Sequence, residues 1–254
     1  MSTPYPENPD TALRFTGIRA LYGEDGFTAL QQACVLIAGV GGVGSWIAEA
    51  LCRSGVGKLI LIDADTIEIK NTNRQLHTTQ DTLGMLKVQA LAERLRRINP
   101  QIEIDARAVT LTKDNIAIEL AACPPYAADA IDDINAKCAL INFLYQRKIC
   151  FATSGGAGAR VDPTKLYLDD MSKAHGDGLI KHVRDILRRE YHFPQGGAKM
   201  GIVCTYSTET PRYTAKTAVN LPRFGASMPV TASAGLLIAS YLLNQITAAK
   251  AGKQ

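Results

Sequence analysis

Apolar and polar positions fall into alternating blocks along this chain. Short apolar runs at residues 35–38 (VLIA), 59–62 (LILI) and 149–153 (ICFAT) read as strands covered on both faces. Residues 102–108, 126–131, 166–168 and 201–206 add further strands. Between them lie stretches with apolar residues at helical spacing: 45–54, 82–98, 114–123, 136–146 and 179–192. In 82–98 the apolar positions are Leu83, Leu86, Val88, Leu91, Leu95 and Ile98, and Asn99-Pro100 stops the helix. Residues 14–30 are helical in pattern but interrupted by Gly23 and Gly26. Residues 224–249 carry no charge and read as a buried terminal helix, because the strongly apolar part, 236–243, is far short of the roughly 20 residues a bilayer span needs. Strand and helix alternate throughout. The fold class is therefore α/β: a Rossmann-like nucleotide-binding core, a mostly parallel sheet extended by further strands, and terminal helices. Residues 1–11 hold three prolines and little apolar material and are expected to be a flexible tail.

The chemistry begins where the first strand ends. Gly39, Gly41, Gly42 and Gly44 supply the spacing G-x-G-x-x-G between a strand and a helix. Glycine allows a tight turn and lets backbone N–H groups approach a phosphate closely. The following helix points its partly positive N-terminus at the same place. The second strand ends in Asp63, where an acid ordinarily accepts a ribose hydroxyl. Beyond it come Asn71, Asn73, Arg74 and Gln75, with Lys87 further on. A nicotinamide dehydrogenase has no general need for such a segment. A triphosphate needs cations, and Arg74 and Lys87 could supply them.

Composition narrows this reading modestly. The 254 residues suffice for a sizeable core, and a net charge of +4 permits a nucleic-acid partner without demanding one. The six cysteines form no C-x-x-C pair, so no zinc knuckle or redox couple is visible. A reducing cytoplasm fits, and the N-terminal stretch lacks the basic-then-apolar pattern of a signal peptide.

The run Gly39-Val40-Gly41-Gly42-Val43-Gly44-Ser45, then Asp63 and Asp65, then Asn71-Thr72-Asn73-Arg74-Gln75, then Lys87, resembles the adenylating core of the ubiquitin-activating-enzyme-like superfamily. That resemblance implies ATP as cosubstrate. It implies nucleotide contacts from Gly39, Gly41, Gly42, Gly44, Asp63, Asp65, Asn71, Arg74, Gln75 and Lys87, with Asp63 on the ribose and Asn71, Arg74 and Lys87 around the phosphates. It also implies one adenylating domain over 12–254, with a nucleotide-binding half (12–150) and a substrate half (151–254), acting as a homodimer. Relatives place an arginine where this chain has Gly17, and Arg19 is the nearest substitute.

Residues 126–137, YAADAIDDINAK, lead a strand into adjacent carboxylates. Acids beyond a strand's carboxyl end lie where open α/β sheets bind ligands. Asp132 could hold Mg²⁺ against triphosphate oxygens; alternatively, Asp132 or Asp133 caps the next helix. The superfamily's Asp-x-x-Asp, matched by Asp129 and Asp132, selects Asp132 as the metal-linked acid. Asp132, Arg74 and Lys87 are thus the catalytic candidates. Several segments (NTNRQLH, AIDDINAK, TSGGAGARVDPTK, VCTYSTE, GASMPVTA) are similar to one subgroup, the bacterial tRNA threonylcarbamoyladenosine dehydratases. This similarity implies a tRNA substrate and a cyclising dehydration through an acyl adenylate. The alternatives are adenylation of a sulfur carrier's C-terminus and a nucleotide-binding scaffold for a sulfur-transfer partner. The glycine-rich 154–163 is expected to line the substrate side. The basic face of 179–192, with Lys181, Arg184, Arg188 and Arg189, is a candidate for gripping RNA phosphates. Cys204 is a weak candidate nucleophile, because strand alternation buries it.

Overall fold

The computed structural model describes residues 9–214 and 221–251. Seven strands form one sheet: β1 (Cys34–Ala38), β2 (Lys58–Ile62), β3 (Glu103–Arg107), β4 (Tyr126–Asp129), β5 (Cys150–Ser154), β6 (Leu166–Asp170) and β7 (Val203–Ser207). Their spatial order is β3-β2-β1-β4-β5-β7-β6. All neighbours run parallel except β6, which pairs antiparallel with β7 at the edge.

Strand alternation sends side chains to two helical layers. Val35, Ile37, Leu59 and Leu61 face the layer of α2 (Thr16–Gln32), α3 (Gly44–Arg53), α4 (Lys87–Ile98) and α8 (Met228–Ala251). Leu36, Ala38, Ile60 and Ile62 face the layer of α5 (Ile116–Glu119), α6 (Ile134–Gln146) and α7 (Gly178–Glu190). This two-sided burial explains the near-continuous apolar runs of the central strands β1 and β2. Each fully buried Leu or Ile contributes about 1.5–3 kcal/mol relative to exposure, so truncating Leu51 in α3 to Ala costs about 2–5 kcal/mol once the cavity is included.

The chain moves outward from β1 to β2 and β3, then returns to lay β4 on the other side of β1. The winding direction reverses between β1 and β4. Parallel neighbours there leave a crevice at their carboxyl ends, the usual ligand position of such sheets.

Several elements differ from the sequence reading. Residues 9–11, expected in a flexible tail, belong to α1 (Pro9–Arg14); residues 1–8 lie outside the described ones. The helix expected from 82 begins at Lys87, because Gly84 has φ +82° and Leu86 bridges to Thr66 in extended conformation. The helix expected over 114–123 shrinks to α5, a single turn. β5 pairs with β4 on one side and β7 on the other, so one sheet spans both halves of the expected single domain. The terminal helix expected over 224–249 is α8, which starts at Met228 and has 24 residues. It is the one helix among the described residues long and apolar enough to cross a membrane, but it packs on α2, α3 and β5 as a core helix. A Cβ on its Gly235 would stand 2.6 Å from the carbonyl oxygen of Val43, so glycine brings α8 against the start of α3.

Candidate active site

The turn after β1 is shaped by close backbone packing. Gly39 has φ +81°, and a Cβ there would lie 2.8 Å from the Ala130 carbonyl oxygen. A Cβ on Gly44 would lie 1.8 Å from the Gly39 oxygen, an impossible approach. These two glycines are needed by the turn itself. Gly41 differs: its Cβ would meet only the Gln75 amide nitrogen, at 3.7 Å. The space over Gly41 is open and faces the crevice. Val43, the N-cap of α3, offers no side-chain hydrogen bond, and Ser45 Oγ donates to the Gly41 carbonyl at 2.7 Å. The first turn of α3 thus lacks a side-chain cap, as suits an anion site.

Asp63 follows β2 and braces the turn. Its Oδ2 accepts the Val40 N–H at 2.9 Å and its Oδ1 accepts the Asp65 N–H at 2.9 Å. Asp65 is exposed and pairs with Lys87 Nζ at 2.6 Å, while Lys87 itself is buried at the start of α4. Asn71 is buried and its Oδ1 accepts the Glu68 N–H at 2.9 Å, closing a short 3₁₀ turn. Arg74 lies across the glycines; a Cβ on Gly42 would meet its Cγ at 3.1 Å. Its guanidinium donates to Asn73 Oδ1 at 2.9 Å and the Lys70 carbonyl at 3.2 Å. Gln75 is buried, and its Oε1 has no hydrogen-bond partner among the described residues. His77, two residues on, is also buried with neither ring nitrogen bonded; burial, then Lys87 and Arg94, push its pKa down to about 4.

The third part of the crevice is the segment after β4. Ala130 N–H donates to the Ala38 carbonyl at 2.8 Å, laying this segment beside Gly39. Asp133 is the N-cap of α6, accepting from Ala136 N–H at 2.8 Å. That leaves Asp132 exposed on the rim, with no hydrogen bond to another described residue. Asp129, by contrast, is wholly buried: its Oδ2 accepts Lys137 Nζ at 2.7 Å and Thr153 Oγ1 at 2.6 Å, and its Oδ1 accepts the Ile131 N–H at 3.1 Å. Sequence reasoning missed Lys137. Its one signal was a lysine at the start of the mostly apolar run AKCALINFL, eight positions after Asp129. This pair ties β4, β5 and α6 together directly beneath the rim.

A family model described as the ThiF family matches residues 16–253. The chain belongs to the ThiF family. The tRNA threonylcarbamoyladenosine dehydratase of Escherichia coli (strain K12) is 36% identical over 257 residues, an alignment covering 95% of this chain and 96% of that protein. The enzyme of that name from Haemophilus influenzae is 37% identical, covering 92% and 93%. The crystal structure of the E. coli tRNA N6-threonylcarbamoyladenosine dehydratase in complex with ATP superposes with a TM-score of 0.92, at 36% identity, over 98% of this chain and 100% of that one. Its complex with AMP gives 0.91.

In this ThiF-family chain the far rim of the crevice is the loop after β5. Gly155 N–H donates to the Thr205 carbonyl at 2.8 Å, and Gly156 N–H to Asp177 Oδ2 at 2.9 Å. Asp177 also caps α7 through Ile180 N–H at 3.0 Å, and burial raises its pKa. Glu209 Oε2 accepts the N–H groups of Val161 and Asp162 at 3.0 and 2.9 Å. Two buried carboxylates therefore hold this loop, where one, Asp63, holds the glycine turn.

On the basic face of α7, Lys181 is exposed in the first turn, while the arginines are engaged within their own chain. α7 starts at the crevice end and runs away from it, at about 1.5 Å per residue, so Arg188 lies roughly 16 Å down the helix from its cap. Arg184 donates to the carbonyls of Met171 and Ala174, Arg188 to that of Pro194, and Arg189 pairs with Glu190. Arg19 is likewise committed within its own chain, to Glu24 at 2.8 Å. Cys204 is fully buried and its thiol is pushed well up by desolvation.

Proposed function

We propose that this chain is an ATP-dependent tRNA threonylcarbamoyladenosine dehydratase that works through an acyl adenylate. The observation that carries this reading is likeness to such an enzyme along 95% of the chain and 96% of the relative.

The triphosphate lies against the glycine turn and the uncapped start of α3, with the space over Gly41 left for its close approach. Each oxygen of Asp63 spends one lone pair on backbone and keeps another for a ribose hydroxyl. Arg74, already laid over Gly42, meets the phosphates. Lys87 keeps one ammonium proton on Asp65 and has two more for phosphate oxygens. Asn71 and Gln75 shape this wall, with the Gln75 amide nitrogen against Gly41. The threonine carboxylate of the modified adenosine attacks the α-phosphorus. A carboxylate O–P bond forms, the bond to the β-phosphate oxygen breaks, and pyrophosphate leaves. An atom of the same modification then attacks the activated carbonyl, the ring closes and AMP departs. The net loss is one water. Tethering supplies the high effective concentration, so no enzyme nucleophile is needed. The thiols agree: burial raises the pKa of all six cysteines, Cys123 to about 11 and Cys52 and Cys138 to about 12.

No cluster of three or more His, Cys, Asp or Glu exists among the described residues. Mg²⁺ does not need one, since it takes one or two carboxylates and completes its shell with phosphate oxygens and water. Exposed, unbonded Asp132 on the crevice rim fits that use. Mg²⁺ there would neutralise charge on the leaving phosphates.

The working unit is a homodimer in this proposal. Leu13, Leu21 and Leu236, from α1, α2 and α8, are exposed on the helical layer these elements share. The cytoplasm, where tRNA and reduced thiols coexist, is the proposed location. A sulfur-transfer protein as partner rests on superfamily resemblance alone. The test is incubation of purified protein with ATP and tRNA carrying threonylcarbamoyladenosine, followed by nucleoside mass spectrometry. One water lost per AMP formed is the expected result. Pyrophosphate exchange that needs a carrier protein and ignores tRNA would sink the proposal.

A further inference from the structure

Two aromatic rings and an arginine stand unburied beside the crevice. Tyr213 is 56% and Phe224 50% exposed. The rings meet edge to face, with centroids 6.4 Å apart and planes at 75°. The Arg223 guanidinium lies 5.1 Å from the Tyr213 ring centre, and no described carboxylate pairs with it. Their backbones are fixed. Thr214 N–H donates to the Arg223 carbonyl at 2.9 Å, Arg212 N–H to that of Ala159 at 2.8 Å, and Ala159 N–H to that of Gly225 at 2.8 Å. Phe224 rests one edge on Gly158, where a Cβ would stand 2.7 Å from its Cε2. The platform adjoins the nucleotide turn, because Asn73 Nδ2 donates to the Ala226 carbonyl at 2.7 Å and Arg74, the next residue, lies over Gly42.

Large rings held rigidly but left half in water offer stacking faces at little entropic cost. Unpaired nucleobases stack on such rings and on arginine planes, and a free guanidinium adds a phosphate contact. We propose that Tyr213, Phe224 and Arg223 form a stacking platform for unpaired bases of the anticodon loop, flanking the modified adenosine as it enters the crevice. This rests on the tRNA reading above. It puts an RNA contact on the substrate rim itself, in addition to any made by α7. An extended peptide is the other partner class, but unpaired arginine charge beside open ring faces favours RNA.

The test compares wild type with Tyr213→Ala/Phe224→Ala, Tyr213→Phe/Phe224→Tyr and Arg223→Ala. Binding of tRNA carrying threonylcarbamoyladenosine is measured across a salt series, with ATP affinity measured separately. The double alanine variant should lose at least about fivefold in tRNA affinity for each ring removed, with unchanged salt slope and ATP affinity. The Phe/Tyr exchange should restore binding, which excludes simple collapse of the loop at Gly158. Arg223→Ala should lower the salt slope by about one unit or less. If wild type binds tRNA and all variants bind it equally, the platform is wrong and the dehydratase reading stands. If wild type neither binds nor alters tRNA, both fall.

Discussion

The crevice has two glycine-bearing rims built on different principles. On the nucleotide rim, the tightest contacts of an added Cβ are to backbone, Gly44 with the Gly39 carbonyl at 1.8 Å and Gly39 with that of Ala130 at 2.8 Å, while Gly41 and Gly42 meet the looser side chains of Gln75 and Arg74. One carboxylate, Asp63, suffices to brace it. On the substrate rim, glycines meet side chains from distant segments as well as backbone. A Cβ on Gly155 would lie 2.4 Å from Asp177 Oδ2, and one on Gly158 2.7 Å from the Phe224 ring. Asp177 and Glu209 must reach in to satisfy its N–H groups. A rim whose closest contacts are to backbone leaves a glycine motif in the sequence. A rim set by long-range side chains leaves only scattered residues.

The largest effect should come from the pair beneath both rims. Lys137→Met leaves Asp129 buried and unpaired, and should cost about 3–5 kcal/mol in urea unfolding. A loss under 1 kcal/mol would show that the rims do not share this support. Next is a contrast within the nucleotide rim. Gly44→Ala should lower stability by about 3 kcal/mol, read as a fall in thermal midpoint, since the backbone must move. Gly41→Ala should leave stability within about 0.5 kcal/mol yet weaken ATP binding in calorimetric titration. Equal effects of the two would erase the distinction between packing and ligand glycines.

Asp132→Ala should reduce tRNA-dependent pyrophosphate release by about 100-fold, roughly 2.7 kcal/mol, at unchanged thermal midpoint. Wild-type turnover would remove Asp132 from the mechanism. The smallest effect separates the rims by pH. His77, beside the nucleotide rim, has its pKa pushed to about 4 by burial, so below its unfolded value of 6.5 the unfolded chain binds a proton that the native chain does not. Stability should therefore fall by about 2 kcal/mol as pH drops from 6.5 to about 5, and His77→Leu should flatten that slope. Asp177, on the substrate rim, has a raised pKa and the opposite sign: its contribution is full below the unfolded value of 3.8 and is lost as pH rises through the folded value. Asp177→Asn should remove that loss; a slope of the same sign at both rims would contradict the assignment.

Much was determined by the sequence alone. The apolar strands, the glycine spacing and the acid after β2 follow from rules that act over a few residues: burial on two faces, permitted backbone angles, and the reach of one side chain. They fixed the α/β class and placed a glycine turn between Ala38 and Ser45. Tertiary structure decided the rest. It made Asp133 the helix cap and left Asp132 free, although the two are adjacent and chemically identical. It buried Lys137 on Asp129 and engaged the α7 arginines with carbonyls and a carboxylate of their own chain. It also set Tyr213 and Phe224 beside Asn73, more than a hundred residues away in the chain. Each of these depends on which distant segment packs alongside. Desolvation and pairing are properties of that neighbourhood, and no local pattern of residues encodes them.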